Sequence, residues 1–380
     1  MYIRPPQKGR GPLWRIVLLL LIDAAGIYIL AFRRDIIKPI QVGPTPTPTP
    51  SAATILAEAQ AFYLEGDLDE AIAHYGQGAA LEPANPSPYV WQSFLLTLRR
   101  RTTEAVDKAR QAIGLAPDSA EALAALCMAL DWDAGVGEQA KLQEALSSCL
   151  SATDVNPAYA EAHAYLAEVY ADLGRTAEAV ESARLAVTLN DASAFAHRDL
   201  GYALEKQHKT KEAIAEYQRA SQIHPRLAQP YIDLGRIYMA GGKTKDALAA
   251  YEKATVVDPK NAHAFDSLGW ALFQAGSDEQ AAVVLQKATE ADPSYAPAYG
   301  HLGLAYYRLR DYEDAVAAYE KAFELGTTDP EYYYELGLAL AYLERCAEAR
   351  PWLLKALEVD PNAAPAQEGL RLCPEKTGNP

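Results

Sequence analysis

The residues of this chain best suited to covalent or metal chemistry are its four cysteines and seven histidines. Cys127, Cys149, Cys346 and Cys373 are spaced too widely for a CxxC redox or zinc motif, and the histidines are scattered with no HExxH. There is no phosphate loop, and Ser93 and Ser267 sit in no motif that would make a hydroxyl nucleophilic. The sequence therefore argues for a non-catalytic protein, with no metal or other cofactor expected. Cysteine chemistry narrows to disulfide bonding or to packing as small apolar side chains.

The elements that must position these cysteines repeat. LGYALEKQHKTKEA begins at 200, LGRIYMAGGKTKDA at 234, LGWALFQAGSDEQA at 268, LGLAYYRLRDYEDA at 302 and LGLALAYLERCAEA at 336, so the Leu-Gly pair returns every 34 residues. A fixed period of this length means stacked copies of one supersecondary unit. With Ala281 at position 20, units begin at 52, 86, 120, 160, 194, 228, 262, 296 and 330, and a final helix begins near 364. Position 20 is then Ala in all nine, from Ala71 to Ala349, and position 8 is small in all nine, from Ala59 to Gly337. Position 27 is Ala except for Gly78 in the first unit.

Positions 4, 7, 8 and 11 share one face at helical spacing, and 20, 24 and 27 form a second stripe after a turn such as Gly241-Gly242. Each unit is thus two antiparallel helices that cross at small residues. Pro83, Pro117, Pro157, Pro225, Pro259, Pro293 and Pro361 close most units, stopping one helix and starting the next. His163 and His197 share position 4 and are expected to pack in the core.

This pattern resembles the tetratricopeptide repeat over residues 52–363. It departs locally: Asp191 and Thr327 replace the closing Pro, and repeat three carries six extra residues around DWDAGVGEQ. The resemblance implies an all-α, right-handed superhelix of nine helix-turn-helix repeats, with a capping helix and tail over 364–380. It also implies that the first helices line a concave groove that binds peptides or protein segments.

Positions 5, 9 and 12 point away from the core stripe, toward such a groove. With neighbouring position 2 they hold Phe195, Arg198 and Tyr202 in repeat five, and Ile232, Arg236 and Met239 in repeat six. Trp270 and Phe273 follow in repeat seven, Leu304 and Tyr307 in repeat eight, Tyr334 and Leu338 in repeat nine. Any one of these fits packing between adjacent first helices equally well; as a set they predict an aromatic-lined groove. Asp266 and Glu205 would add charge to it. Family members that clamp a carboxylate tail use Lys and Asn in the groove, and the O-linked N-acetylglucosamine transferase repeats resemble an Asn ladder. Here Leu-Gly is followed by Tyr202, Arg236, Trp270, Leu304 and Leu338, so neither polar mode is expected.

Within this frame Cys127 at position 8 faces Cys149 at position 24 across one hairpin, and Cys346 and Cys373 flank the turn at Asp360. Both pairs fit bridge geometry between adjacent helices, which agrees with an oxidising compartment. Small-residue packing of free thiols is the alternative.

Residues 1–15 form a basic start and 16–32, IVLLLLIDAAGIYILAF, an apolar run with the single charge Asp23. The length is at the short limit for a bilayer span. A cleaved signal peptide fits the same pattern, but no small-x-small site follows and the first cysteine is Cys127, which favours an uncleaved anchor. Residues 33–51 contain PTPTPTP, an extended polyproline II spacer suited to an exposed surface. Residues 1–52 carry seven basic and two acidic residues, leaving 28 basic and 48 acidic, net −20, in the remainder. So acidic a domain repels phosphate backbones, and nucleic acid is excluded as a partner.

The expected function is a membrane-tethered scaffold whose repeats, on the extracytoplasmic side of the cytoplasmic membrane, bind a protein or peptide segment. The alternatives are an accessory subunit of a membrane enzyme or of an export or envelope-assembly complex, and an envelope-glycan enzyme. The last would need chemistry that the sequence does not display.

Overall fold

The computed structural model describes residues 13–32, 50–134 and 138–374. The basic start up to residue 12, most of the Pro/Thr spacer (33–49), the middle of the repeat-three insertion (135–137) and the tail (375–380) lie outside the described residues. The chain divides into two units, Met1–Pro50 and Ser51–Pro380. In the first, helix α1 (Leu13–Phe32) has 20 residues, none of them buried. It would span about 30 Å, the thickness of a bilayer's hydrocarbon core. The helix starts one turn before the apolar run, because Leu13 and Trp14 are themselves apolar and the Arg15 stem can lie along such a surface. By length and composition α1 is able to cross a membrane.

The second unit is helical, with no strand among the described residues. Its hairpins are α2 (Ala52–Glu65) with α3 (Leu68–Leu81), α4 (Ser87–Leu98) with α5 (Thr102–Leu115), and α6 (Ala120–Asp133) with α7 (Gln139–Val155). Next come α8 (Ala160–Asp172) with α9 (Thr176–Leu189), α10 (Ala194–Lys206) with α11 (Thr210–Ile223), and α12 (Gln229–Ala240) with α13 (Thr244–Val257). The last are α14 (Ala262–Gln274) with α15 (Asp278–Ala291), α16 (Ala296–Leu309) with α17 (Tyr312–Glu324), and α18 (Pro330–Tyr342) with α19 (Cys346–Val359), closed by α20 (Ala364–Leu372). Ser51, Ser119, Ser193 and Asn261 cap first helices by accepting a backbone N–H three residues on. Outside repeat three, where Ala134 is extended, the turn inside each hairpin has left-handed backbone at position 15. Gly66 and Gly276 supply it freely, whereas Arg100 is held there at φ 60°.

Position 20 is fully buried in every repeat. The closest fit is between positions 8 and 24 of one hairpin. A Cβ added to Gly269 would lie 2.5 Å from Leu285 Cγ; one on Gly235 or Gly303 would meet the rings of Tyr251 or Tyr319 at 2.5 and 2.6 Å. Where position 8 is Gly, position 24 is Tyr or Leu; where position 8 is Ser93 or Ala167, position 24 shrinks to Ala109 or Ala183. Volume is thus traded across the crossing in these seven repeats, as close packing favours, while repeat one sets Tyr75 against Ala59. In repeat three the pair is Cys127 and Cys149, joined as a disulfide with Cα atoms 5.2 Å apart. The second disulfide, Cys346–Cys373, with Cα atoms 5.1 Å apart, ties α19 to the segment that leaves α20.

Successive first helices also pack on each other, α4 on α6 on α8 on α10 and then α12 on α14 on α16 on α18, whereas successive second helices do not pack comparably. The first helices therefore form the inner wall. The superhelix then meets itself: Arg99 bridges Asp69 at 3.0 Å and the distant Asp258 at 2.6 Å, and Lys260 reaches Asp67 at 3.2 Å. The Tyr63 and His224 rings lie 5.1 Å apart. Hairpin turns of repeats one and two thus rest on the junctions after repeats five and six.

Gly269→Ala should destabilise the repeat unit by about 1–3 kcal/mol through overpacking, despite the helix propensity gained. In chemical denaturation, Gly269→Ala combined with Leu285→Ala should be no less stable than Leu285→Ala alone; simple additivity would show that the two side chains do not share this site.

Candidate protein-binding site

The inner wall is built from positions 2, 5, 6 and 9 of the first helices, the i, i+3, i+4, i+7 stripe next to the core stripe. In repeats one to five it encloses a cavity of about 560 Å³. Tyr63 from α2, Trp91 and Phe94 from α4, Tyr165 from α8 and Phe195 from α10 form its aromatic wall. Trp91 lies 5.5 Å from Tyr63 and 5.7 Å from Phe94, and Phe94 meets Phe195 edge-on at 5.0 Å. Glu121 and Glu161 lie in the same lining. Burial first, and then the Glu161 carboxylate, push the Tyr63 and Tyr159 hydroxyls above the ordinary tyrosine range; burial and then Tyr159 do the same to Tyr165.

A second cavity, of about 480 Å³, is polar and lies between α6, α8, α10 and α12. Arg198 is buried there and bound to Glu168 at 2.6 Å, Asp199 at 2.7 Å and Asp233 at 3.0 Å. Burial opposes its charge, but the facing carboxylates outweigh burial and hold its pKa above the usual guanidinium range. Arg236 pairs with Glu205 and with Asp233. These pairs bridge neighbouring first helices, so neither guanidinium lacks a carboxylate partner inside the protein. Arg100 stacks over Trp132 at 4.4 Å and reaches His263 at 3.5 Å.

Toward the carboxyl end Trp270 is half-buried between Phe273, 5.1 Å away, and His301, 4.4 Å away, both near parallel. His301 in turn bonds Asp266 at 2.7 Å, and Arg308 covers Phe273 at 4.2 Å. Tyr307 lies edge-on to Tyr312 at 5.7 Å, which stacks on Tyr342. Tyr202, Arg236, Met239, Trp270, Phe273, Tyr307 and Tyr334 keep part of their surface exposed. Phe195, Arg198, Ile232, Leu304 and Leu338 are buried, with Phe195 in the first cavity and Arg198 and Ile232 in the second. The apolar second face of α14 is thus covered in part by its neighbours.

Sequence reasoning passed over position 6, which supplies Trp91, Tyr165, Asp199, Asp233, His301 and Glu335 to this wall. Extending the stripe from position 2 by three and four residues would have found it. It also passed over repeats one to four, which hold most of the larger cavity. His197, expected in the core, is buried and bonds Glu216 at 2.7 Å, whereas His163 is half-buried and bonds the Pro157 carbonyl at 2.9 Å.

Helical hairpins stacked in register around an inner wall define an α-helical repeat scaffold. A model described as the cytochrome c-type biogenesis protein H TPR domain matches residues 222–333, and two further tetratricopeptide repeat models match 137–194 and 330–363. The chain is a member of the tetratricopeptide repeat family, and such repeats bind protein partners. The APC/C hetero-tetramer Cut9-Hcn1 has a chain of similar structure, 16% identical, with a TM-score of 0.55, covering 94% of this chain and 82% of that one. Pseudomonas aeruginosa pilF is 20% identical with a TM-score of 0.50, covering 55% of this chain and 96% of that one. Both likenesses concern the fold. No curated protein matches the chain.

One inner-wall group titrates near neutrality. Burial, then the neighbouring Glu331, raise the Glu335 pKa from 4.5 to about 7, and its Oε2 has no hydrogen-bond partner. A raised acid stabilises the fold fully below pH 4.5, and that contribution is lost as pH rises through about 7. Glu335→Gln should therefore flatten the decline in stability across this window and exceed the parent at pH 8 by on the order of 2 kcal/mol. Denaturation midpoints against pH check this; parallel curves for the two proteins would contradict it.

Proposed function

We propose that this protein is a non-catalytic scaffold, tethered to the cytoplasmic membrane by α1, that receives a protein segment on the inner wall of its superhelix in the extracytoplasmic space. The observation that carries the reading is the inner wall itself, where aromatic side chains from successive first helices border an open cavity instead of closing into a dry core. The two disulfides support an oxidising compartment. The match to a cytochrome c-type biogenesis TPR domain favours a role in assembling envelope proteins, with cytochrome c biogenesis as the specific case. Such a role also accommodates an accessory subunit of an assembly complex, held in the membrane beside its partners.

A membrane-impermeant maleimide on intact cells tests the compartment. Cys127, Cys149 and Cys373 are fully buried and Cys346 is half-buried. The reading predicts no labelling without reductant, labelling of Cys346 after reduction, and labelling of all four after reduction and denaturation. Free thiols reached only once the membrane is opened would turn the repeats toward the cytoplasm.

A further inference from the structure

The larger cavity carries unused bonding capacity. Among the described residues its two carboxylates accept only from hydroxyls: Glu121 from Ser119 Oγ at 2.9 Å and Glu161 from Ser193 Oγ at 3.2 Å. No lysine or arginine is among the lining residues, and neither carboxylate forms an ion pair among the described residues. The Tyr63 and Tyr165 side chains, at 9% and 5% exposure, line the aromatic side of the cavity. An aromatic wall and carboxylates without a cation partner call for an occupant that brings an apolar side chain and a cation.

We propose that the cavity between α2, α4, α6, α8 and α10 is a docking site for a basic-apolar peptide segment, with an aromatic or long aliphatic anchor between Trp91 and Phe195 and a nearby lysine or arginine at Glu121 and Glu161. This rests on the scaffold reading above and narrows it, locating the contact in the amino-terminal half of the repeats and fixing the sign of the partner's charge. A cavity of about 560 Å³ accommodates two or three side chains. The anchor supplies binding strength by leaving water, and the cation supplies specificity. The remainder of the chain after residue 52, net −20, draws the same sign of charge from a distance. Acidic segments and polyanions are disfavoured on both counts.

The test uses the full chain in nanodiscs of zwitterionic lipid, with empty discs as the blank. Three fluorescein-labelled twelve-residue peptides serve as probes: one with Phe and Leu anchors and three Lys, a twin with Glu for each Lys, and a twin with Ser for each anchor. Fluorescence anisotropy should show saturable binding of the first alone. Glu121→Gln and Glu161→Gln should each weaken it roughly two- to tenfold. The double change Glu121→Lys with Glu161→Lys should move the preference to the acidic twin, a gain that an unfolded variant does not give. No binding by the first probe, equal binding of basic and acidic twins, or indifference to the double change would overturn the site. Binding that ignores both glutamates but is lost in Trp270→Ala with Tyr307→Ala would overturn this site while leaving the scaffold reading intact.

Discussion

The fit of position 24 against position 8 within each hairpin is the constraint on which the rest of the structure depends. Leu285 occupies the space that a Cβ on Gly269 would need, and Tyr217, Tyr251, Tyr319 and Leu353 do the same against their own glycines. The approach is close because one partner has given up its side chain. Where the knob shrinks to Ala109 or Ala183, position 8 regains Ser93 or Ala167. The Cys127–Cys149 disulfide puts a covalent bond where packing acts in the other repeats. Constant spacing inside every hairpin lets the hairpins stack with one geometry, and a constant geometry places all first helices on one wall.

That wall then divides by chemistry. Repeats one to five enclose an aromatic cavity with two acidic groups, and the next stretch is crossed by buried ion pairs centred on Arg198 and Asp233. Such pairs add specificity of arrangement more than stability, because removing either partner strands a buried charge. Repeats seven to nine carry the stack of Phe273, Trp270 and His301, and the tyrosines around Tyr307. The bridges from Arg99 to Asp258 and from Lys260 to Asp67 hold the first two repeats against the junction after repeat six.

The architecture was legible in the sequence because steric demands at positions 8, 20 and 27 admit few residue types. Ala281 and its eight counterparts mark the phase, and the phase places Cys127 opposite Cys149. The inner wall was legible only in part. Trp270, Phe273 and Tyr307 announce themselves as apolar residues off the core stripe, but position 6 holds Trp91, Asp233, His301 and Glu335, and so mixed a column has no compositional signature. Arg198 reads as a groove cation by position, whereas its three carboxylate partners come from three different helices. Contacts that close the superhelix join residues 159 and 193 positions apart, and a pair of opposite charges at such separations carries no local signal.

The central claim is that the inner wall, and not the outer face, receives a protein. Photo-crosslinking in living cells addresses it directly, with benzoylphenylalanine placed singly at Trp91, Trp270 or Tyr307 on the inner wall and at Val256 or Val283, both exposed on second helices. The account predicts a discrete protein adduct from inner positions and none from the outer ones. Adducts confined to Val256 and Val283 would contradict it, and would move the interaction surface to the second helices.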